Sequence, residues 1–174
     1  MTALAAGGYL GGAVYRWVVF LHVAFVFGFL LAHGMAVSMT FRIRRESEPA
    51  RIRALLDASS ATTGLMYPAL GLIVVTGVVL AFMGGWWARW WIWASIAVLI
   101  LITFLMYWHP GRGFAKTRKA AGLPYMEAGR PHAAVPAAPD AEIAAAAVRN
   151  PWMSLAVGGI GWLVILWLMM FKPF

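Results

Sequence analysis

Two histidines, His22 and His33, lie inside the first of four long apolar segments of this 174-residue chain. They are eleven positions apart, and on an α-helix this spacing puts both on nearly the same line, about 16 Å apart along the axis. Imidazole is a ligand of haem iron and of copper. An ionisable side chain at membrane depth is a candidate functional residue, and histidine is the least costly because it can be neutral.

A b-type haem is the first chemistry that these residues could support. A haem with two axial imidazoles needs histidines on facing helices, with the porphyrin between them. His33 lies in the inner half of the first segment and His109 at the inner end of the third, whereas His22 has no evident partner. The cofactor-binding candidates are therefore His22, His33 and His109. A second interpretation needs no cofactor, because His22 and His33 would hydrogen-bond to backbone or hydroxyl groups between helices.

Copper is the alternative to haem. Thioether sulfur favours Cu(I), and imidazole also binds copper. Met35 and Met39 follow His33 on the same segment, and in the copper interpretation these two methionines are the metal ligands. Methionine is also an ordinary gap-filling residue in apolar cores. The sequence has no cysteine, which excludes thiolate metal sites, iron–sulfur ligation and haem attachment through a Cys-x-x-Cys-His motif.

The apolar segments that must position these residues are 17–41, 64–83, 90–108 and 152–171. None contains Asp, Glu, Lys or Arg, and each has about the 20 residues needed to cross a hydrocarbon core roughly 30 Å thick. The sequence therefore predicts an all-α fold, a four-helix transmembrane bundle that forms one domain over residues 1–174. No nucleophile–base–acid set is visible, so the chain is predicted not to be an enzyme.

The charged residues predict the orientation in the membrane. The net charge is +8, from 14 Lys and Arg and 6 Asp and Glu, and eleven of the cations lie in the first and third connections. Because Lys and Arg are in excess in cytoplasmic loops, loops 42–63 and 109–151 are predicted to be cytoplasmic, with the N-terminus and C-terminus outside. The basic loops are also expected to attract anionic lipid head groups. No RNA-binding pattern of aromatics accompanies these cations, so nucleic acid is not an expected partner.

Small side chains predict where helices approach closely. A stripe recurs every four residues on the first segment, on the side opposite the histidines, and consists of Ala24, Gly28, Ala32 and Ala36. Such stripes let another helix backbone come near. Gly77 begins a similar pair on the second segment, so a second close contact is expected there.

Several element boundaries also have sequence signals. Ser47 is predicted to cap the second helix, with Pro49 in its first turn. The short aromatic connection 84–91 predicts that helices two and three are antiparallel neighbours. Pro110, after His109, is interpreted as a helix end. Residues 123–140, rich in Ala, Pro and Gly, are predicted to be irregular.

The chain resembles the small CopD-like bacterial membrane proteins, a group that includes a related family of unknown function. The likeness extends over most of the chain and rests on short motifs: Leu21-His22-Val23, Phe41-Arg42-Ile43-Arg44-Arg45, Arg51-Ile52-Arg53-Ala54-Leu55-Leu56, Thr76-Gly77, Gly84-Gly85-Trp86-Trp87 and Leu168-Met169-Met170-Phe171-Lys172-Pro173. The resemblance implies a four-helix unit of the bacterial inner membrane that handles copper or binds haem. His22 is the residue that it marks as a ligand.

The leading functional hypothesis is a small, multi-pass subunit of a larger assembly in the bacterial plasma (inner) membrane. Its expected partners are the lipid bilayer and other membrane protein subunits. Within such an assembly it would serve electron transfer with a b-type haem. The alternative is a stand-alone CopD-like copper-handling membrane protein, and a chain without any cofactor is the third interpretation.

Overall fold

The computed structural model describes residues 3–147 and 151–173, without the side chains of 3–10, 109 and 110. The predicted all-α class is confirmed, with one short β-hairpin added. The elements follow in the order α1 (Ala3–Arg44), α2 (Pro49–Met83), a 3₁₀ turn (Trp86–Ala88), α3 (Trp90–Met106), a π-helical turn (Tyr107–Gly111), α4 (Arg112–Ala120), β1 (Tyr125–Glu127), β2 (Arg130–His132), α5 (Asp140–Ala147) and α6 (Pro151–Phe171).

Three of the described helices are long and apolar enough to cross a membrane, namely α1, α2 and α6. Helix α3 is shorter, at 17 residues, but its apolar run continues through Tyr107 and Trp108 of the π-helical turn. Large apolar side chains are exposed along these helices, including Phe27, Phe82 and Ile160. These lengths and this exposed apolar surface indicate a membrane-spanning protein.

The main core of the molecule draws on all of these apolar helices. Helix α1 packs chiefly on α2, and α3 packs chiefly on α6. Phe29 of α1, Ile73 of α2, Ile102 of α3 and Trp162 of α6 belong to one buried cluster. The rings of Phe29 and Trp162 lie 4.8 Å apart between centroids, and this contact joins the two helix pairs.

A glycine-containing turn sets the path from α2 to α3. Gly85 has a left-handed φ of 65°, which favours glycine, and a Cβ at Gly84 would collide with Nε1 of Trp86. The short connection predicted that α2 and α3 are antiparallel neighbours, but among the described residues α3 packs chiefly on α6 and makes little contact with α2. Trp91 and Ile92 of α3 pack with Leu168 of α6 in a small core next to this turn.

A separate small core lies at the basic end, which we define as the last turn of α1, the first turns of α2, α4, the hairpin and α5. Ile43, Ile52, Leu56, Ala121 and Ile143 are buried there together. The prediction that residues 123–140 are irregular is wrong for residues 125–132, because β1 and β2 pair antiparallel. Their turn uses the positive φ angles of Ala128 and Gly129.

The corner between α1 and α2 is held by a side chain that the sequence did not single out. A carboxylate oxygen of Glu46 accepts the backbone N–H groups of Ser47 at 3.0 Å and of Glu48 at 3.1 Å. Glu48 is the N-cap residue of α2, so the prediction of Ser47 as the cap is wrong. Pro49 begins the helix as expected, and α2 continues through Pro68 without a break.

Candidate functional site

His22 projects from α1 onto α2, where it meets a threonine hydroxyl. Nδ1 of His22 lies 2.8 Å from Oγ1 of Thr76. The same hydroxyl lies 2.6 Å from the carbonyl oxygen of Leu72, one turn earlier on α2. The backbone carbonyl of Ile73 is a further acceptor beside the imidazole. The ring is therefore tied to α2 by one of its two nitrogens.

Gly77 provides the space in which the His22 ring lies. A Cβ at this position would be 3.3 Å from Cε1 of His22 and 3.9 Å from Nδ1, which is tight for a methyl group. The predicted close contact at Gly77 thus exists, but it accommodates a side chain of α1. By contrast, a Cβ at Gly28 would meet no atom within 4 Å, so the closest approach expected at that glycine is not found.

The second nitrogen of His22 is free within the described part of the chain. Nε2 makes no hydrogen bond to any described residue. It is also not fully enclosed by the described residues. The side chain as a whole is half-buried. His22 therefore presents an accessible ring nitrogen at the α1–α2 pair, while its other nitrogen is held from behind.

His33 projects towards α6, so the two histidines of α1 have different neighbours. Its ring stacks on Phe29, with centroids 5.9 Å apart and an angle of 6° between planes. The backbone of Ser154 lies beside the imidazole. Nε2 of His33 is buried and has no hydrogen-bond partner among the described residues. A Cβ at Gly158 would collide with this nitrogen.

The space around each Nε2 decides whether a metal fits there. A metal bound to an imidazole nitrogen lies about 2 Å from it. At His33 the backbone of α6 at Gly158 stands in front of Nε2, so this packing leaves no room for a haem iron. At His22 the nitrogen is accessible and the other ring nitrogen is hydrogen-bonded, which is the usual arrangement of a ligating histidine. The geometry favours His22 as a ligand and His33 as a packing residue.

His109 lies in the π-helical turn between α3 and α4, and its side chain lies outside the described residues. The interpretation of Pro110 as a helix end is wrong, because the chain continues through this turn into α4. Proline lacks an N–H and disrupts the normal helical bond to the residue four positions earlier, and a wider π turn absorbs the irregularity. A Cβ at Gly111 would be 3.2 Å from the carbonyl oxygen of Met106, so the turn is tight.

The two methionines of the copper interpretation lie further along α1. Met35 is exposed, and Met39 is half-buried. Within the described residues, no group of three or more His, Asp or Glu side chains could hold a metal ion. A copper site built on Met35 and Met39 would thus bind the metal chiefly through thioether sulfur.

A buried guanidinium is the polar centre of the basic end. Arg118 of α4 donates from Nε to the carbonyl oxygen of Pro124 at 2.7 Å and from Nη1 to that of Leu56 at 2.5 Å. Burial lowers the pKa of Arg118 from its usual range, and the charge of Asp57 opposes this effect. Next to it, Thr117 donates to the carbonyl oxygen of Ala146 on α5 at 2.8 Å. Arg118 and Thr117 thus connect α4 to α2 and α5.

Several cations of the basic end remain exposed. Arg42, Arg44 and Lys116 form no ion pair with a described residue, whereas Arg51 lies 2.8 Å from Glu48. The backbone N–H groups of Glu48 and Ser47 lower the pKa of Glu46, and the charge of Arg51 contributes to the same effect. The end therefore keeps a positive surface, which suits the anionic head groups predicted from the sequence.

The sequence indicated His22 and His33, but it did not connect Thr76, Gly77 or Gly158 with either imidazole. Thr76, Gly77 and Gly158 give each imidazole its surroundings. The available signal was weak, because a threonine in an apolar span and a glycine in a helix are both common in membrane proteins. Comparisons of this chain with protein-family models, with curated proteins and with solved structures found no match.

Proposed function

We propose that this chain is a non-enzymatic subunit of a larger assembly in the bacterial plasma membrane. In this proposal α1, α2, α3 and α6 form a four-helix transmembrane bundle, with both termini outside and the basic end in the cytoplasm. The length and composition of α1, α2 and α6 support membrane insertion. The exposed aromatic and aliphatic side chains on these helices suit contact with lipid and with neighbouring subunits.

The proposed role of the subunit is electron transfer through a b-type haem, whose iron His22 would hold. When bound, a b-type haem supplies one-electron chemistry. The observation that carries this proposal is the state of the His22 ring, with Nδ1 held by Thr76 and Nε2 accessible. The part played by the chain is to hold this nitrogen at a fixed angle on the α1–α2 pair.

A second ligand of the iron would come from a residue other than His33. Nε2 of His33 faces the backbone at Gly158, so His33 does not fit this role in the present packing. In the proposed orientation His109 lies at the cytoplasmic end of α3 and His22 in the outer half of α1, so the second ligand would come from a partner subunit. A ligand from a partner subunit would make the site dependent on assembly, in agreement with the subunit role proposed here.

Copper handling is the second candidate function, in line with the CopD-like resemblance. The exposed side chain of Met35 supports it, because an accessible thioether is a suitable ligand for Cu(I). The two functions differ in what the purified chain should retain. A copper protein should keep its metal alone, and a haem-bearing subunit should keep its absorption spectrum best when purified with other chains.

The test is an absorption spectrum of the gently solubilised protein, oxidised and dithionite-reduced, with metal analysis on the same sample. A reduced α-band of b-type haem is expected in the wild type. His22→Ala should abolish the band and His33→Ala should retain it, because only the first removes the accessible nitrogen. A featureless spectrum of the intact assembly would overturn the haem proposal. Stoichiometric copper without haem would establish the alternative.

A further inference from the structure

The hydrogen bonds around Thr76 determine which nitrogen of His22 carries the proton. A threonine hydroxyl has one hydrogen to donate and two lone pairs to accept with. Oγ1 of Thr76 lies 2.6 Å from the carbonyl oxygen of Leu72, and a carbonyl oxygen only accepts. The hydrogen of Thr76 is thus directed to Leu72, and its oxygen is left to accept from Nδ1 of His22 at 2.8 Å.

We propose that Thr76 is a positioning residue that fixes neutral His22 in the tautomer with hydrogen on Nδ1, which leaves the lone pair of the accessible Nε2 free for a ligand. The carbonyl oxygen of Ile73 lies 3.2 Å from the same hydroxyl and is a second acceptor for its hydrogen, so both neighbours of Thr76 on α2 leave its oxygen free to accept from Nδ1. Gly77 completes the arrangement, since a larger residue would press on Cε1. The inference deepens the proposed function and rests on it only for the identity of the ligand.

The tautomer can be measured without any ligand. The isolated chain, labelled with ¹⁵N in its four histidines and prepared without haem in lipid nanodiscs, gives one long-range ¹H–¹⁵N pattern per imidazole. His22→Gln identifies the signals of His22. The expected wild-type result is a protonated Nδ1 and an unprotonated Nε2. A wild-type His22 with its hydrogen on Nε2 would overturn the proposal.

Two variants of Thr76 separate its hydroxyl from its shape. Thr76→Val removes the hydroxyl at nearly constant volume, and the fraction of His22 with hydrogen on Nε2 should rise roughly three- to tenfold, as expected for the loss of one hydrogen bond. Thr76→Ser should keep the wild-type pattern. Thr103→Val is the matched control, because among the described residues the hydroxyl of Thr103 donates only to Leu99 on its own helix, at 2.8 Å.

The possible results distinguish a failure of this inference from a failure of the haem proposal. An unchanged tautomer in a folded Thr76→Val protein would show that Thr76 does not set it, whether or not haem binds. The wild-type tautomer with the expected shift in Thr76→Val, together with a featureless spectrum of the assembly, would support the inference and reject the haem. Circular dichroism of each variant establishes that the helices are intact.

Discussion

Gly158 of α6 lies against the imidazole of His33 of α1, so the absence of a side chain at one position makes room for the ring at the other. This contact lies in the seam where the two helix pairs meet, close to the stacked rings of Phe29 and His33. Within this seam, α1 touches α6 much less than it touches α2. A substitution at Gly158 should therefore weaken the packing between the α1–α2 pair and the α3–α6 pair.

Gly158→Ala should destabilise the protein through overpacking. The new Cβ would be 2.9 Å from Cε1 of His33 and closer still to Nε2, and such insertions into packed cores cost about 1–3 kcal/mol. The expected result is a lower midpoint of thermal unfolding in detergent.

Two further variants test the cause of that effect. Gly159→Ala is the matched control, because a Cβ there would meet no atom within 4 Å, and its midpoint should stay at or above that of the wild type. His33→Ala should restore much of the stability lost in Gly158→Ala by removing the ring. Equal midpoints for the Gly158→Ala and Gly159→Ala variants would contradict the packing described at this seam.

Arg118→Met should loosen the basic end without affecting the apolar helices. The change removes the hydrogen bonds to the carbonyls of Leu56 and Pro124, and bonds to charged donors contribute about 1.5–3 kcal/mol each when they are buried. Amide hydrogen exchange should become faster in α4 and the hairpin. Lys116→Met serves as control, because Lys116 is exposed; similar exchange in both proteins would show that Arg118 is not the anchor.

The proposed orientation can be tested with single cysteines, because the sequence has none of its own. Ala88 in the α2–α3 turn and Ala134 after the hairpin are both exposed. The excess of Lys and Arg at the basic end predicts that it faces the cytoplasm. A membrane-impermeant maleimide should therefore label Ala88→Cys in intact cells, and Ala134→Cys only after lysis. The reverse labelling pattern would show that the basic end faces the outside.

The α1–α2 corner should weaken in acid because of Glu46. Backbone N–H groups lower the pKa of this carboxyl in the folded protein, so its contribution to stability is complete above the pKa of an unfolded glutamate, about 4.3. The contribution is lost as the pH falls through the lower, folded value. Exchange protection of the Ser47 and Glu48 amides, corrected for intrinsic rates, should fall over this range.

Glu46→Gln is the matched variant for that titration. Its side-chain oxygen can still accept hydrogen bonds, but it has no charge to lose. Protection at the corner should be weaker than in the wild type at neutral pH and should not change in acid. If the Glu46→Gln variant kept the pH profile of the wild type, the acid effect would belong to another group.

The sequence predicted helices best where their presence depends only on the length and composition of an apolar run. Helix α6, Pro151–Phe171, nearly coincides with the span predicted at 152–171, because an apolar run bounded by a proline has few alternatives. Element boundaries set by single hydrogen bonds were less predictable. Glu46 and Ser47 are both plausible capping residues, and only the folded corner shows that the carboxylate takes the amides.

The candidate site was predictable in its residues but not in its geometry. Helical periodicity put His22 and His33 on one line, yet they face different helices, because α1 meets α2 at His22 and α6 at His33. The direction in which a neighbouring helix crosses depends on packing along its whole length. The sequence therefore identified the two imidazoles, but only the packing shows which of their nitrogens is accessible.

Helix α2 contains both Leu56, in the core of the basic end, and Thr76, the partner of His22. They are twenty positions apart, which corresponds to about 30 Å of continuous helix, so a small rotation of α2 at one end moves its other end. A tilt of about 5° about Leu56 would displace Thr76 by roughly 2.6 Å, enough to break its hydrogen bond to His22 if α1 stayed in place. A protein or lipid that pulls on the basic end must therefore move α1 and α2 together to keep the hydrogen bond between Thr76 and His22.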